Sequence, residues 1–462
     1  MSTTVAREVE RALRRHELWG KGIVVAVSGG VDSVCLARIA AELGPRGLGR
    51  VEIAHVDHGL RPESGRDEAF CRDLAGELGV RFHSTRLGPA GRTGNLHAWA
   101  RQERRAFLET VRVQRGLAAV ALGHHADDQA ETVLFRLIRG AGPRGLAAMA
   151  EWSPPFVRPF LGVWRADLEA LARGRGWAWR DDPSNACRQF ARSRIRHEVL
   201  PLLEQIHPGA KQALVRAARL IRRDEEALST RARRALDRAA VMEPEGVRLR
   251  ISDVAAWPEA VRFRAYLALW ERLGGEPARL NLGHLQAVDA LLGPPGPCRK
   301  APVPGPLRVC RSGGDLWFLL GDPGPPPPEV HLLGPGNRLD VAGWGRVEWG
   351  RGGAPAAGRW VAVPAGRGEG GLRLRPRRAG DRVWRRGRWV KVKDVLMEAR
   401  IPPWRRDRTW VVTDRGGAFG LLGSGVAIGP DEGPSWVAFW AEAPGGGNPP
   451  SVSSGRKAVV AW

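Results

Sequence analysis

Cysteine and tyrosine are scarce in this chain, lysine is scarce for so basic a protein, and long apolar runs are missing. The five cysteines (Cys35, Cys71, Cys187, Cys298, Cys310) are odd in number, scattered and without a C-x-x-C pair. That argues against a disulfide framework or a cysteine zinc site and points to a reducing cytoplasm. No apolar run approaches the length that spans a bilayer, and the opening MSTTVAREVERALRRHELWG is charged rather than signal-like. Lysine occurs only at 21, 211, 300, 391, 393 and 457, although lysine and arginine together number 72. An excess of arginine with abundant alanine, glycine and proline is what a GC-rich genome encodes, so part of the formal net charge of +23 is codon bias. The rest asks for a polyanionic partner, of which nucleic acid is the simplest.

At 462 residues the chain exceeds one compact core, which predicts two or three domains. From the start to residue 208, short apolar runs (Ile23–Val27, Val51–His55, Ala118–Leu122) alternate with segments of helical period, the pattern of βαβ units and a parallel sheet. Residues 209–320 open with KQALVRAARLIRRDEEALSTRARRAL, an unbroken amphipathic pattern, and are expected to be mainly helical. Proline-rich GPPGP and DPGPPPP read as linkers or rigid straps. Residues 330–435, rich in glycine, valine, tryptophan and arginine, predict a small basic domain, and 436–462 a flexible tail.

The most informative stretch is GIVVAVSGGVDSVCLARIA, Gly22 to Ala40. A buried strand runs into Ser28-Gly29-Gly30-Val31-Asp32-Ser33 and then into a helical pattern. Two glycines allow close approach of backbone N–H groups to an anion, the helix start adds unpaired donors, and Ser28 and Ser33 offer hydroxyls. The lysine of a Walker A loop is missing. Asp32 would repel phosphate unless a divalent cation lay between them; magnesium shared with phosphate oxygens resolves the conflict. A simple helix cap is the plainer use of such an aspartate.

SGGVDS resembles the PP-loop of the ATP pyrophosphatase superfamily, whose members cleave ATP to AMP and pyrophosphate while activating a carbonyl-type oxygen. Three further stretches narrow the resemblance: IAHVDHGLRPES (53–64), LGHHADDQAETVLFRLIRGAGPRGLAAM (122–149) and WRDDPSNACRQFARSRIRHEVLPLL (179–203). Together they are similar to the bacterial tRNA(Ile)-lysidine synthetase family. The likeness is close over residues 20–208 and extends more weakly to about 430, through LRLRPRRAGDRVW and KVKDVLMEARIPPWRRDRTWVV. Related tRNA thiolases share the loop and a His/Asp segment but depend on cysteines that this chain does not arrange suitably. A non-catalytic tRNA-binding protein on a PP-loop scaffold is the other alternative, against which stand intact Ser28, Asp32, Ser33 and Asp128.

The resemblance implies an α/β fold: an N-terminal parallel-sheet PP-loop domain of the adenine nucleotide alpha hydrolase type, a helical domain and a small α+β C-terminal domain. It implies adenylation of the 2-carbonyl oxygen of the first anticodon cytidine in an isoleucine tRNA with a CAU anticodon. Free lysine then displaces AMP to give lysidine. ATP would lie on Ser28, Gly29, Gly30, Val31, Asp32 and Ser33, with His55 on the adenosine side. Asp32 and Asp128 would hold magnesium; Asp32, His124, Asp128 and Arg104 would be catalytic; Asp128 and Glu131 would take the lysine. Of the adjacent histidines, His124 is taken as functional and His125 as structural. Arg101, Arg192, Arg194, Arg196, Arg373, Arg375, Lys391 and Lys393 are the expected tRNA contacts. The family pattern has tyrosine where this chain has Arg105, so an aromatic role there is absent. From Arg373 to Lys393, ten basic residues face the single acid Asp381, with Trp384 and Trp389 interleaved, a composition suited to phosphate gripping and base stacking. No membrane partner is expected; a homodimer is compatible with the sequence but not decided by it.

Overall fold

The computed structural model describes residues 2–441 except 58–63, 89–95, 181–190, 295–298, 322–325, 343, 353–354, 356–358, 386–387, 424–425 and 430–434. His58, the whole DDPSNACRQF stretch including Cys187, Cys298 and the sequence beyond 441 therefore lie outside the described residues. The chain divides into two compact units, Met1–Ala227 and Leu228–Trp462.

In the first unit, helix α1 (Ser2–Arg15) precedes β1 (Ile23–Ala26), α2 (Val31–Leu43), β2 (Val51–Asp57), α3 (Ser64–Glu77), β3 (Arg81–Arg86), α4 (Leu96–Arg115) and β4 (Ala119–Ala121). There follow α5 (Ala126–Ile138), α6 (Pro143–Leu146), β5 (Trp152–Ser153), β6 (Phe156–Val157), α7 (Arg165–Gly174), α8 (Ala191–Arg194) and α9 (Leu200–Ile206). The long α10 (Ala210–Ala239) contains the division between the units. Strand order is β3-β2-β1-β4-β6-β5, parallel except at the β5–β6 edge.

The sequence explains this order of layers. Ile23, Val24 and Val25 are fully enclosed, as a central parallel strand covered on both faces requires. Ile23 and Val25 face one core with Val34, Leu36, Ile39 and Leu168, whereas Val24 faces another with Ala54, Leu108, Val111 and Phe156. The chain proceeds outward from β1 to β2 and β3, then returns to place β4 on the other side of β1. Between β1 and β4 the winding reverses, which opens a crevice beyond the carboxyl ends of those two strands.

The second unit contains the helices expected after residue 209, Ile251–Ala255, Glu259–Arg272 and Leu282–Asp289. It also contains a five-stranded antiparallel sheet that the helical expectation missed, ordered 241–243, 246–250, 315–320, 307–312, 299–301. Its strands are short and carry arginine at alternate positions, as in Arg248 and Arg250, which masks their strand period. Farther on, a five-stranded and a four-stranded antiparallel sheet share a core built on Trp349, Trp410, Phe419 and Phe439. Residues 436–441, expected to open a flexible tail, are instead ordered: Ser435–Ala441 is a strand pairing with both Gly345–Arg351 and Arg359–Val363. Its SWVAFWA pattern buries Val437 and Phe439, and the neighbouring glycines and prolines hid that alternation. Among the described residues no helix is long and apolar enough to cross a membrane.

Candidate active site

The loop after β1 folds as its residue types dictate. Gly29 takes φ +92°, a conformation L side chains rarely adopt, and Gly30 is the extended N-cap of α2. Ser33 Oγ donates to the Gly30 carbonyl oxygen at 2.9 Å and accepts from the Ser28 N–H at 3.1 Å, while the Ser28 and Ser33 hydroxyls lie 3.3 Å apart. The result is a closed turn whose amides precede the positive end of a thirteen-residue helix. Arg180 braces it from outside, its N–H donating to the Gly29 carbonyl oxygen at 3.0 Å. His55, buried on β2, is oriented by the Val27 carbonyl oxygen, 2.9 Å from Nδ1; its enclosed Nε2 has no partner.

The loop after β4 comes from the other side of the crevice. Gly123 lets it approach: an added Cβ would lie 3.2 Å from the Asp32 carbonyl carbon and 3.2 Å from the Ser33 nitrogen. His125 caps α5, its N–H donating to Asp128 Oδ2 at 3.1 Å. The His125 ring is almost fully enclosed, with Nε2 3.7 Å from Asp32 Oδ2 and 3.5 Å from Asp128 Oδ2, and Nδ1 3.6 Å from Asp127 Oδ2. Burial works against its charged form, but the three carboxylates outweigh it and raise its pKa.

Acids dominate this side. Burial pushes the Asp32 carboxyl above its usual range, and Asp128 adds to the effect against the pull of His125, Arg165 and Arg196. Asp32 Oδ1 is enclosed and without a hydrogen-bond partner. Asp127 is otherwise engaged: Lys211 Nζ donates to it at 2.9 Å and the Arg165 N–H at 3.0 Å. Despite its burial, these contacts and His125 hold Asp127 far below the usual carboxylate range, so its place is structural. Glu131 is buried, which raises its pKa although Arg196 opposes the shift. Arg196 Nη2 donates to Glu131 Oε2 at 3.0 Å and to Asp128 Oδ1 at 3.3 Å.

Among the described residues, no three His, Cys, Asp or Glu side chains form a metal cage. Asp32 and Asp128, with an unsatisfied oxygen between burial and like charge, fit a hard divalent cation that draws its other ligands from phosphate and water.

The opposite side is basic. His124 Nδ1 is enclosed and unpartnered, and burial lowers the ring pKa to about 4, with Arg158, Arg104 and Arg101 acting against the opposing Asp128. Arg104 is half-buried and Arg101 exposed on α4. Arg105, in place of an aromatic ring, lies with its guanidinium carbon 4.3 Å from the Phe156 ring centre.

The family model for the PP-loop domain matches residues 1–203, and that for the TilS substrate C-terminal domain matches residues 372–429. The tRNA(Ile)-lysidine synthase of Geobacter sulfurreducens is 35% identical over 421 residues, covering 86% of this chain and 88% of that protein. The chain belongs to the tRNA(Ile)-lysidine synthase family. Its counterpart in Azoarcus sp. (strain BH72) is 36% identical over 87% of each chain, and that of Solibacter usitatus 33% identical over 90% of this chain and 97% of the relative.

The loops after β1 and β4 bring Ser28–Ser33, His124, Asp128 and Glu131 to one crevice, but the expected RNA-contacting arginines separate. Arg192 donates to Thr132 Oγ1 at 3.3 Å, Arg194 pairs with Glu198 at the surface, and Arg196 turns inward to Glu131 and Asp128. Arg375 is committed to Asp381 through two hydrogen bonds of 2.8 Å, and Arg373 pairs with Glu329. Arg194–Glu198 is one helical turn apart, but the other partners lie too far along the chain, or outside any helix, for helical spacing to reveal them. Lys391 and Lys393 are exposed and form no ion pair among the described residues. Nearby, exposed Trp384 and Trp389 meet edge to face at 5.5 Å. Sequence reading missed three contributors: Gly123, His125 as the contact between the acids, and Arg158. The first two were signalled by the LGHHADD string itself.

Proposed function

We propose that this chain ligates free L-lysine to C2 of the first anticodon cytidine of an isoleucine tRNA with a CAU anticodon, consuming ATP. The observation that carries the reading is the meeting of SGGVDS with the His124–Asp128 segment across the β1–β4 switch point, acids on one side and guanidinium groups on the other. In the first step the cytidine O2 attacks the α-phosphorus and pyrophosphate leaves. In the second the lysine amine attacks C2, the C2–O2 bond breaks, AMP departs with the oxygen, and the nitrogen loses a proton.

Ser28, Gly29, Gly30, Val31 and Ser33 bind the phosphates through amides and hydroxyls, and Nε2 of His55 is free to accept from the adenosine. Magnesium on Asp32 and Asp128 would supply charge neutralisation at the phosphates. Arg104 neutralises charge on the opposite side, and neutral His124 orients the cytidine by a hydrogen bond. The Glu131–Arg196 pair offers both signs that lysine needs: guanidinium for its carboxylate, and carboxylates on Glu131 and Asp128 for an ammonium group. A buried carboxyl of raised pKa is also a better proton acceptor than a free one, which suits a nucleophile that attacks only when neutral. Lys391, Lys393 and the Trp384–Trp389 pair grip the tRNA. The thiolase alternative is disfavoured because Cys35 and Cys71 are buried, which pushes both thiols up to about 12. A cytoplasmic location accords with these free thiols.

The test is release of AMP from ATP with and without tRNA. AMP formation that requires the CAU-anticodon isoleucine tRNA is expected; ATP cleavage indifferent to tRNA, or none at all, would contradict the reading.

A further inference from the structure

Asp127, Asp128 and Glu131 each have a cationic partner, but the arginines on the His124 side have no acid among the described residues. Arg158 directly follows β6 and is 7% exposed. Its Nη1 donates to the Ala150 carbonyl oxygen at 2.9 Å, and its enclosed Nε has no partner. Nη2 makes no hydrogen bond among the described residues and is not one of the enclosed, unpartnered atoms. No carboxylate pairs with Arg158, Arg101, Arg104 or Arg105 among the described residues. Burial lowers Arg158 to about 10, and Arg105, Arg101 and Arg222 add to the shift. A guanidinium kept charged in such surroundings needs an anion to offset its lost hydration.

We propose that Arg158 is a phosphate-binding residue of the active site, forming with Arg104 and Arg101 a seat for a backbone phosphodiester of the substrate RNA next to the nucleotide being modified. The inference rests on the reading of the chain as a tRNA-modifying ligase and adds a residue and a ligand to it. The RNA is preferred to ATP as the source of the phosphate by position. The PP-loop amides lie at the end of β1, whereas Arg158 lies at the end of β6, with β4 between them. His125, Arg165, Asp128 and Arg196 are the charges felt by Asp32; Arg158 is instead the foremost cation acting on His124. The seat is graded, with Arg101 and Arg105 exposed at the rim, Arg104 half-buried and Arg158 at the floor. Arginine suits the place because a planar fork can keep Nη1 on Ala150 while another edge meets a phosphate.

The experiment is equilibrium binding of the full chain to a fluorescent RNA hairpin carrying the CAU anticodon loop, without ATP, over a salt series. Arg158→Gln is expected to weaken binding about tenfold and to reduce the log–log salt slope by about one, with Arg158→Lys recovering part of the loss. Affinity for ATP alone should stay within about twofold. Hairpin affinity and slope unchanged in a variant of wild-type circular dichroism would overturn the proposal. A loss of ATP affinity with RNA binding intact would also overturn it, by assigning the seat to the nucleotide. If Arg158→Gln does not fold, Arg158→Lys and the rim variant Arg105→Gln decide: both weaker by about threefold supports the seat, both wild-type refutes it. Hairpin binding needs no turnover, so failure of the ligation chemistry and failure of this inference are separately visible.

Discussion

Gly123 packs against the backbone of Asp32: a methyl group at Gly123 would stand 3.2 Å from the Asp32 carbonyl carbon and 3.3 Å from its oxygen. Two loops from different strands thus meet with no side chain between them. Gly123→Ala should therefore push the phosphate loop and the His124 segment apart by a few tenths of an ångström. The expected cost is about 1–2 kcal/mol of stability and at least about tenfold in AMP formation, because misplacement at a reacting centre outweighs the packing loss. Steady-state kinetics beside a thermal melt checks this; equal activity would show that the loops have room to spare.

Asp32→Asn removes one charge from a buried, partly unsatisfied carboxylate. Folding and tRNA affinity should be nearly unchanged, while AMP formation falls by about two orders of magnitude or more and demands more magnesium. Wild-type turnover in limiting magnesium would mean that Asp32 is not a metal ligand.

His124 carries a pH signature. Its pKa is lowered from 6.5 to about 4 in the folded protein, so it is neutral at pH 7. Its contribution to stability is fully present above the unfolded value and is lost as pH falls from about 6.5 towards 4. Between pH 7 and 5 the wild type should lose about 2 kcal/mol through this group, and His124→Gln should lack that loss. Urea unfolding of both proteins at the two pH values measures the difference directly. Equal pH dependence would place His124 in an environment no different from water.

Lys391 and Lys393 are two of only six lysines and pair with no acid among the described residues, while Arg375 is tied to Asp381. Replacing both lysines by glutamine should weaken tRNA binding and flatten its log–log salt dependence by about one to two units, with ATP affinity unchanged. An unaltered slope would make this surface a product of codon usage.

What the sequence disclosed and what it withheld follow one physical line. SGGVDS was legible because its glycines, hydroxyls and carboxylate act through local backbone geometry, within a single strand-to-helix turn. The parallel sheet was legible because a doubly covered strand such as Ile23–Ala26 must be continuously apolar. Arg196 and Arg194 were not separable, since a local change to a π-helical turn over Ile195–Val199 decides which of them meets Glu131. Arg158 was invisible for a related reason: in a chain with so many arginines, only burial without a counter-charge distinguishes one. The sheet within residues 241–320 was hidden because its strands are assembled from segments far apart, with Asp315–Leu320 pairing back to Gly246–Arg250.

The identity of the nucleophile is the central claim. Arginine should not replace lysine, because its guanidinium stays protonated and cannot attack at neutral pH. Ornithine, one methylene shorter, should place its amine about an ångström away and react slowly. Glu131→Gln should chiefly raise the lysine requirement, whereas Asp128→Asn should impair the reaction even at saturating lysine. The direct measurement is mass spectrometry of the anticodon nucleoside after incubation of the protein with ATP, magnesium, lysine and CAU-anticodon isoleucine tRNA. A cytidine heavier by a lysine joined with loss of water is the predicted result; a sulfur-for-oxygen exchange, or an unmodified cytidine, would contradict it.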